Sequence, residues 1–362
     1  MRIERVLMTG DTVGGVWTFT MELARQLCGR GVEVCLAAFG GQGSYVQRQQ
    51  ALSIPGLSLY TFDLKLEWME EPWGDIEESA RILTRLERAF APDVIHLNSY
   101  GHGGVAWQAP AILTAHSCVV SWWEAVRQGE LPDSWGRYRQ AVEQTLQSAY
   151  AVTAPSQAML NSLSRHYAAS PARSLVIANG RRAELTPPQQ KQPFVFSAGR
   201  LWDEAKNIGA LARVARRMPW PVYLAGQARD PNGKDKVFDG CRMLGMLSPS
   251  RMGDWYGRAS IYAAPAKYEP FGLAPLEAGL AGCALVLGDI PSLRETWKDA
   301  AFFVNDSDLE GALRQMISDS RLRQEYAARA QARARTFTAE KMGEAYRDLY
   351  ESVPEWRRAC AS

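Results

Sequence analysis

Two carboxylates, Glu269 and Glu277, stand eight residues apart in the stretch AKYEPFGLAPLEAG, with a Phe-Gly turn and a proline between them. The run IYAAPAKYE has the character of a strand entering a loop, and APLEAGLAG that of a helix with Pro275 in its first turn. EPFGL then feeds a helix start, where unpaired N–H groups and the helix dipole favour an anion. Gly272 lets the backbone come close to that anion. Flanking carboxylates would repel a phosphate, but they accept charge-assisted hydrogen bonds from vicinal hydroxyls. A phosphate with a sugar on each side satisfies both halves of the pattern. In the plainer reading, Glu277 serves the helix dipole and Glu269 is exposed; spacing alone serves either.

A second stretch decides between them. FSAGRLWDEAKNIG places Arg200 just after a strand and Lys206 six residues on, at the start of the next helix. Two cations at one strand-to-helix junction clamp a diphosphate, Arg by its planar fork and Lys as a point charge. They also stabilise negative charge as it develops on a leaving group. Alone, the pair would read as a solvated basic loop. Beside a turn prepared for phosphate it reads as half of a pyrophosphate site.

Four histidines occur. His116 follows the apolar run AILTA, which puts it at a strand's carboxyl end. His96 lies within VIHLN and reads as part of a strand end, His102 in YGHGG stands in reach of an acceptor, and His166 falls on a helix. In TVGGVW, Gly14 and Gly15 form a turn before a helix and bring backbone N–H groups toward a ligand. The spacing is not GxGxxG, so no dinucleotide cofactor is implied.

These residues need elements to hold them. RVLMTG, a glycine turn, a helical stretch and VEVCLAAFG make a strand–helix–strand unit, and the alternation recurs through DVIHLNSYG, AILTAHSC, YAVTAPS and SLVIANG. Short apolar strands between helices fit a parallel sheet covered on both faces. The polar, proline-rich RRAELTPPQQKQP (181–193) reads as a linker. The pattern then restarts with FVFSAGR, PVYLAGQ, IYAAPAK, CALVLGD and AFFVN, and turns helical from Asp308 to about Val353. The expected fold class is α/β: two Rossmann-like doubly wound domains, 1–190 and 191–338, with an interdomain cleft where open parallel sheets bind ligands. No internal repeat or low-complexity tract interrupts them.

Composition limits the partners. The 362 residues carry a net charge of +2 and are 46% hydrophobic and 22% charged, as in a folded globular protein. Up to Glu184 there are 16 Lys and Arg against 18 Asp and Glu, and 25 against 21 thereafter, so neither half is a nucleic-acid binder by charge. The six cysteines show no CxxC pair, and MRIERVLMTG is too charged for a signal peptide. No run approaches the ~20 apolar residues that span a bilayer. A cytoplasmic protein without strong membrane association is expected.

Taken together, GRL…KN, YEPFGLAPLEAGLAGCALVLGD and RETW resemble the donor domain of the GT-B retaining glycosyltransferases of family 4, the group 1 type. Their E-x7-E motif matches Glu269 to Glu277, and the resemblance covers essentially the full length, with GGV, PDVIHLN, TAHS, VTAPSQAM and IANG in the first half. It implies a hexosyltransferase that moves a sugar from a nucleotide-sugar, UDP-linked by prior, to a hydroxyl. Anomeric configuration is retained, and no metal or other cofactor is required. By the same resemblance Arg200 and Lys206 bind the donor diphosphate, Glu277 the ribose hydroxyls, and Glu269 lies near the donor sugar. Phe271, Gly272 and Leu273 meet phosphates and sugar, Met246 and Leu247 read the base, and His116 contacts the reacting centre. The last helix, roughly Ala339–Trp356 within 339–362, is expected to return to the first domain.

Two details depart from the pattern. NGRRAE carries arginines where an NG-hydrophobic-Asp run is frequent, and Ser117 stands where an Asp often follows the histidine. For the acceptor, Trp17, Asn98, Tyr100, His102, Trp122 and Trp123 are candidates, the rings by stacking on a sugar or aromatic aglycone. No basic amphipathic patch marks the first half, which favours a soluble acceptor. A phosphorylase or sugar-nucleotide epimerase on the same architecture, an inverting enzyme with His116 as base, and an inactive nucleotide-sugar binder are the rivals.

Overall fold

The computed structural model describes residues 2–169, 171, 173–230 and 233–353. The chain divides into two compact units: residues up to Glu124, Gly129–Gly180 and 339–353 form one, and 125–128 with Arg181–Thr338 the other.

The first unit runs β1 (Arg5–Asp11), α1 (Gly15–Cys28), β2 (Glu33–Phe39), α2 (Tyr45–Leu52), β3 (Leu57–Thr61), α3 (Trp73–Phe90), β4 (Val94–Leu97) and β5 (Ala111–Thr114). It continues with α4 (Val119–Arg127), α5 (Gly136–Ser148), β6 (Ala151–Ala154), α6 (Gln157–His166) and β7 (Ser174–Val176). The strands form one parallel sheet in the order β3-β2-β1-β4-β5-β6-β7. β4, β5 and β6 are buried at every position, which is why they read as unbroken apolar runs.

The second unit runs β8 (Gln192–Ala198), α7 (Ile208–Ala215), β9 (Val222–Ala225), β10 (Cys241–Gly245), α8 (Pro249–Arg258), β11 (Ala259–Ala264) and α9 (Leu273–Leu280). Then come β12 (Ala284–Gly288), α10 (Pro291–Trp297), β13 (Phe302–Val304), α11 (Leu309–Ser318) and α12 (Ser320–Ala334). Its parallel sheet is ordered β10-β9-β8-β11-β12-β13. The last helix, α13 (Ala339–Glu351), belongs to the first unit and packs on α1. Of the expected return segment 339–362, Trp356 and its neighbours lie outside the described residues.

Two features differ from the sequence reading. The first unit closes at Gly180, not at residue 190, because Arg181 N–H donates to Phe337 O at 3.1 Å and Arg181 pairs in parallel with Thr338. The edge strands β3 and β10 are additional; they are partly exposed and lack a continuous apolar signal. A buried polar network then ties α13 down. His96 meets Tyr350 Oη at 2.5 Å and Thr114 Oγ1 at 2.7 Å, while Tyr346 Oη reaches Thr114 at 2.9 Å and Thr153 at 3.1 Å. Burial holds His96 down to about 3 and lifts Tyr346 to about 12. No described helix is long and apolar enough to cross a membrane.

Two kinds of helix start bear on the site. Ser44, Ser156, Ser248 and Asp319 accept from backbone N–H groups at the starts of α2, α6, α8 and α12. By contrast α1 and α9 begin on glycines in the positive-φ region, Gly14 at 105° and Gly272 at 92°, with no side-chain cap. Both lie next to the point where their sheet reverses strand order.

Candidate active site

In the second sheet that reversal falls between β8 and β11, and ligands of open parallel sheets bind beyond the carboxyl ends of such strands. Arg200 follows β8 and Glu269 follows β11, so the topology brings their loops together. Lys206 closes a short 3-10 turn, Glu204–Lys206. Asp203, 5% exposed, organises this loop: it accepts the Ala205 N–H and Arg200 Nη2, each at 3.0 Å. One buried carboxylate thus caps the turn and aims the guanidinium, which also lies 5.5 Å from the Trp202 ring. The neighbouring loop is joined through Lys267 N–H to Ala205 O at 2.8 Å. Lys206 Nζ donates to Glu269 Oε2 at 2.5 Å, and Ser292 Oγ donates to the Glu269 carbonyl at 2.5 Å. The predicted diphosphate cation and the predicted sugar acid are therefore direct partners, a relation that spacing did not show.

Glu277 sits in the second turn of α9, and no acid stands in the first. The reading of Glu277 as a dipole partner fails on that placement, since the effect fades beyond the first turn. Its Oε1 instead pairs with Arg181 Nη2 at 2.6 Å, and Tyr256 donates its hydroxyl to the same carboxylate. Burial, then the Glu277 charge, push the Tyr256 hydroxyl well above its usual range. Phe271 is buried edge-on against Phe337, so what it offers a ligand is backbone; Leu273 is the first residue of α9. Met246, 75% exposed, and half-buried Leu247 follow β10, also at the carboxyl edge.

The triplet Asp306-Ser307-Asp308 has D-x-D spacing, but Asp306 is committed to Asn207 Nδ2 at 2.6 Å and Arg213 at 3.8 Å. No three acids, histidines or cysteines among the described residues are grouped to hold a metal.

In the first sheet the reversal falls between β1 and β4. Gly14 and Gly15 are exposed at the bare start of α1, just after β1. Asn98 follows β4 and is locked by β1, its N–H to Thr9 Oγ1 at 2.8 Å and its Nδ2 to Thr9 O at 2.7 Å. With the amide nitrogen so occupied, Oδ1 faces His116 Nε2 at 2.7 Å and must accept from it. His116 is therefore the Nε2–H tautomer, with Nδ1 left as an acceptor. Burial lowers its pKa to about 3, so the ring is neutral, and Phe19 meets it edge-on at 4.5 Å.

Several acceptor candidates are corrected. Trp17 (5% exposed) donates Nε1 to Gln50, Tyr100 (4%) donates its hydroxyl to Ser117 O, and His102 (2%) is held by Ser79 and Ser99. These side chains are interior groups, not surfaces for stacking. Trp122 and Trp123 remain half-buried on α4, His96 is inside β4, and His166 pairs with Glu124 at 3.0 Å. Thr9, Asp203, Tyr256 and Arg181 went unselected by sequence reasoning; Asp203 had a local signal, lying between the two cations in LWDEAK, and Arg181 had one in the departure at NGRRAE.

Each half of the chain matches a family model: residues 14–180 the glycosyl transferase 4-like domain, and 184–333 the glycosyl transferases group 1. The chain belongs to the group 1 glycosyltransferases. This glycosyltransferase is 26% identical to the D-inositol 3-phosphate glycosyltransferase of Kineococcus radiotolerans, over 97% of this chain and 93% of that one. Its two-sheet architecture is the GT-B fold. Sucrose-phosphate synthase from Thermosynechococcus elongatus superposes with a TM-score of 0.79 at 18% identity, covering 96% and 100% of the two chains. Anabaena Alr3699/HepE in complex with UDP and glucose gives 0.75 at 16% identity, over 97% and 100%.

Proposed function

We propose that this glycosyltransferase moves a hexose from a nucleoside diphosphate donor to a hydroxyl of a soluble acceptor, with retention of configuration and without a metal ion. The observation that carries the reading is the assembly at the β8–β11 reversal: Arg200 aimed by Asp203, Lys206 on Glu269, and the bare start of α9. Fixed cations and backbone N–H groups stabilise a departing diphosphate as its charge develops. Glu277 takes the ribose hydroxyls, Glu269 the donor sugar, and the Met246–Leu247 backbone the base. The sugar C1–O bond to phosphate breaks, the acceptor oxygen bonds to C1 on the same face, and a departing phosphate oxygen takes the acceptor's proton. Neutral His116 offers Nδ1 to a hydroxyl of the reacting sugars. A uridine donor is supported by the UDP with which the Anabaena protein was crystallised, and a small polar acceptor by the relative named for D-inositol 3-phosphate.

Thermal melts with UDP-, GDP- and ADP-sugars test this. A donor at a hundred times its Kd raises stability by about 2.7 kcal/mol. Arg200→Ala should abolish the shift; a shift that survives removes the clamp from the account. NMR of the first-formed product reads the anomer, and an inverted one ends the retaining assignment. Undiminished turnover in EDTA is expected.

A further inference from the structure

We propose that Arg181 is a positioning residue of the donor's ribose subsite, fixing Glu277 so that its carboxylate meets the ribose diol; this rests on the donor reading above. The two side chains are 15% and 16% exposed and 2.6 Å apart, Nη2 on Oε1. Arg181 is anchored at its root, because its backbone donates to Phe337 O and pairs with Thr338. Its neighbour Arg182 turns instead to Glu184, at 4.0 Å. The arginine at 181 occupies one of the positions where this chain departs from the hydrophobic-Asp run of the sequences it resembles, and the departure falls on the acid assigned to ribose.

The chemistry follows from what a carboxylate needs. A glutamate on a helix samples several rotamers, and ordering it on binding costs affinity. Held on one oxygen by a guanidinium and touched by the Tyr256 hydroxyl, Glu277 is ordered beforehand. A carboxylate has about four lone-pair sites, so two donors leave acceptor capacity for a diol. Arg181 thus acts on the ribose through Glu277 and leaves the diphosphate to Arg200 and Lys206.

Paired ligands separate this role from a general structural one. Calorimetry would compare UDP with 2′,3′-dideoxy-UDP, and likewise the ADP and GDP pairs, on the intact protein. The wild type should prefer the ribose form by about tenfold or more, the worth of one hydrogen bond to a charged group. Arg181→Met should lose about tenfold for UDP and leave dideoxy-UDP within about twofold, while Arg181→Lys restores most of the preference. Glu277→Ala should bring the ratio to about one. Equal losses for both ligands in Arg181→Met, or an unchanged ratio, overturn the proposal. A ratio surviving Glu277→Ala overturns it through the ribose assignment, with the diphosphate site intact. Failure of the wild type to bind any of the three nucleotides sinks the donor reading and this inference together.

Discussion

Asn98 fixes the tautomer of His116. Its amide nitrogen is spent on Thr9 O at 2.7 Å, so its oxygen accepts His116 Nε2–H at 2.7 Å, and Nδ1 is the atom left for a ligand. A neighbour from another strand thereby sets the chemical character of a neutral imidazole.

Replacing Asn98 by Ala removes that acceptor and lets both tautomers populate. About a tenfold fall in kcat is expected, with a stability loss of about 1–2 kcal/mol from the orphaned Thr9 carbonyl and His116 N–H. Nitrogen-15 spectra of histidine-labelled protein, with His116→Gln for assignment, give the direct readout. An unchanged Nε2–H signature in the Ala variant would refute the tautomer argument.

Buried histidines make stability depend on pH with a definite sign. His96 and His116 are lowered to about 3 and His102 to about 4, from 6.5, by burial first in each case. Between these values and 6.5 the unfolded chain binds more protons, so stability is full above pH 6.5 and falls as pH drops toward 3. Each contributes roughly 2 kcal/mol of that loss between pH 6.5 and 5. Glu67, raised by burial, works in the opposite direction. Denaturant titrations from pH 7 to 5 measure the net slope, and His102→Gln, which keeps a polar partner for Ser79, should flatten it by one proton. The same slope in both proteins would refute a neutral buried His102.

The start of α9 depends on a glycine for geometry as well as reach. At φ 92°, a Cβ on Gly272 would also lie 3.0 Å from Pro275 Cγ and 3.4 Å from Glu269 Cγ. Gly272→Ala should therefore cost about 1–2 kcal/mol in the melt. Donor Kd should rise at least tenfold, because Glu269 and the free N–H groups shift together. Donor affinity within twofold of wild type would show that this turn is not the anion site.

How much was visible beforehand follows from range along the chain. β1, β2, β4 and β12 announce themselves because nearly every residue is buried; β3 and β10, at sheet edges with exposed positions, do not. The cations and acids of the second unit are legible because each pair lies close along the chain, Arg200 with Lys206 after β8 and Glu269 with Glu277 between the end of β11 and α9. Their pairing is not: Lys206 with Glu269 and Arg181 with Glu277 depend on which strands become neighbours. Trp17, Tyr100 and His102 misled for a related reason, since an aromatic in a loop looks the same whether it faces water or plugs the interior.

Because α13 completes a unit begun by β1, the order of synthesis matters. His96 and Thr114 wait for hydroxyls of Tyr350 and Tyr346 that leave the ribosome only after all of 181–338 has been made. Throughout that interval the nascent first unit lacks the two hydroxyls that complete the His96–Thr114–Thr153 network. Its closure therefore cannot begin until the second unit has been synthesised.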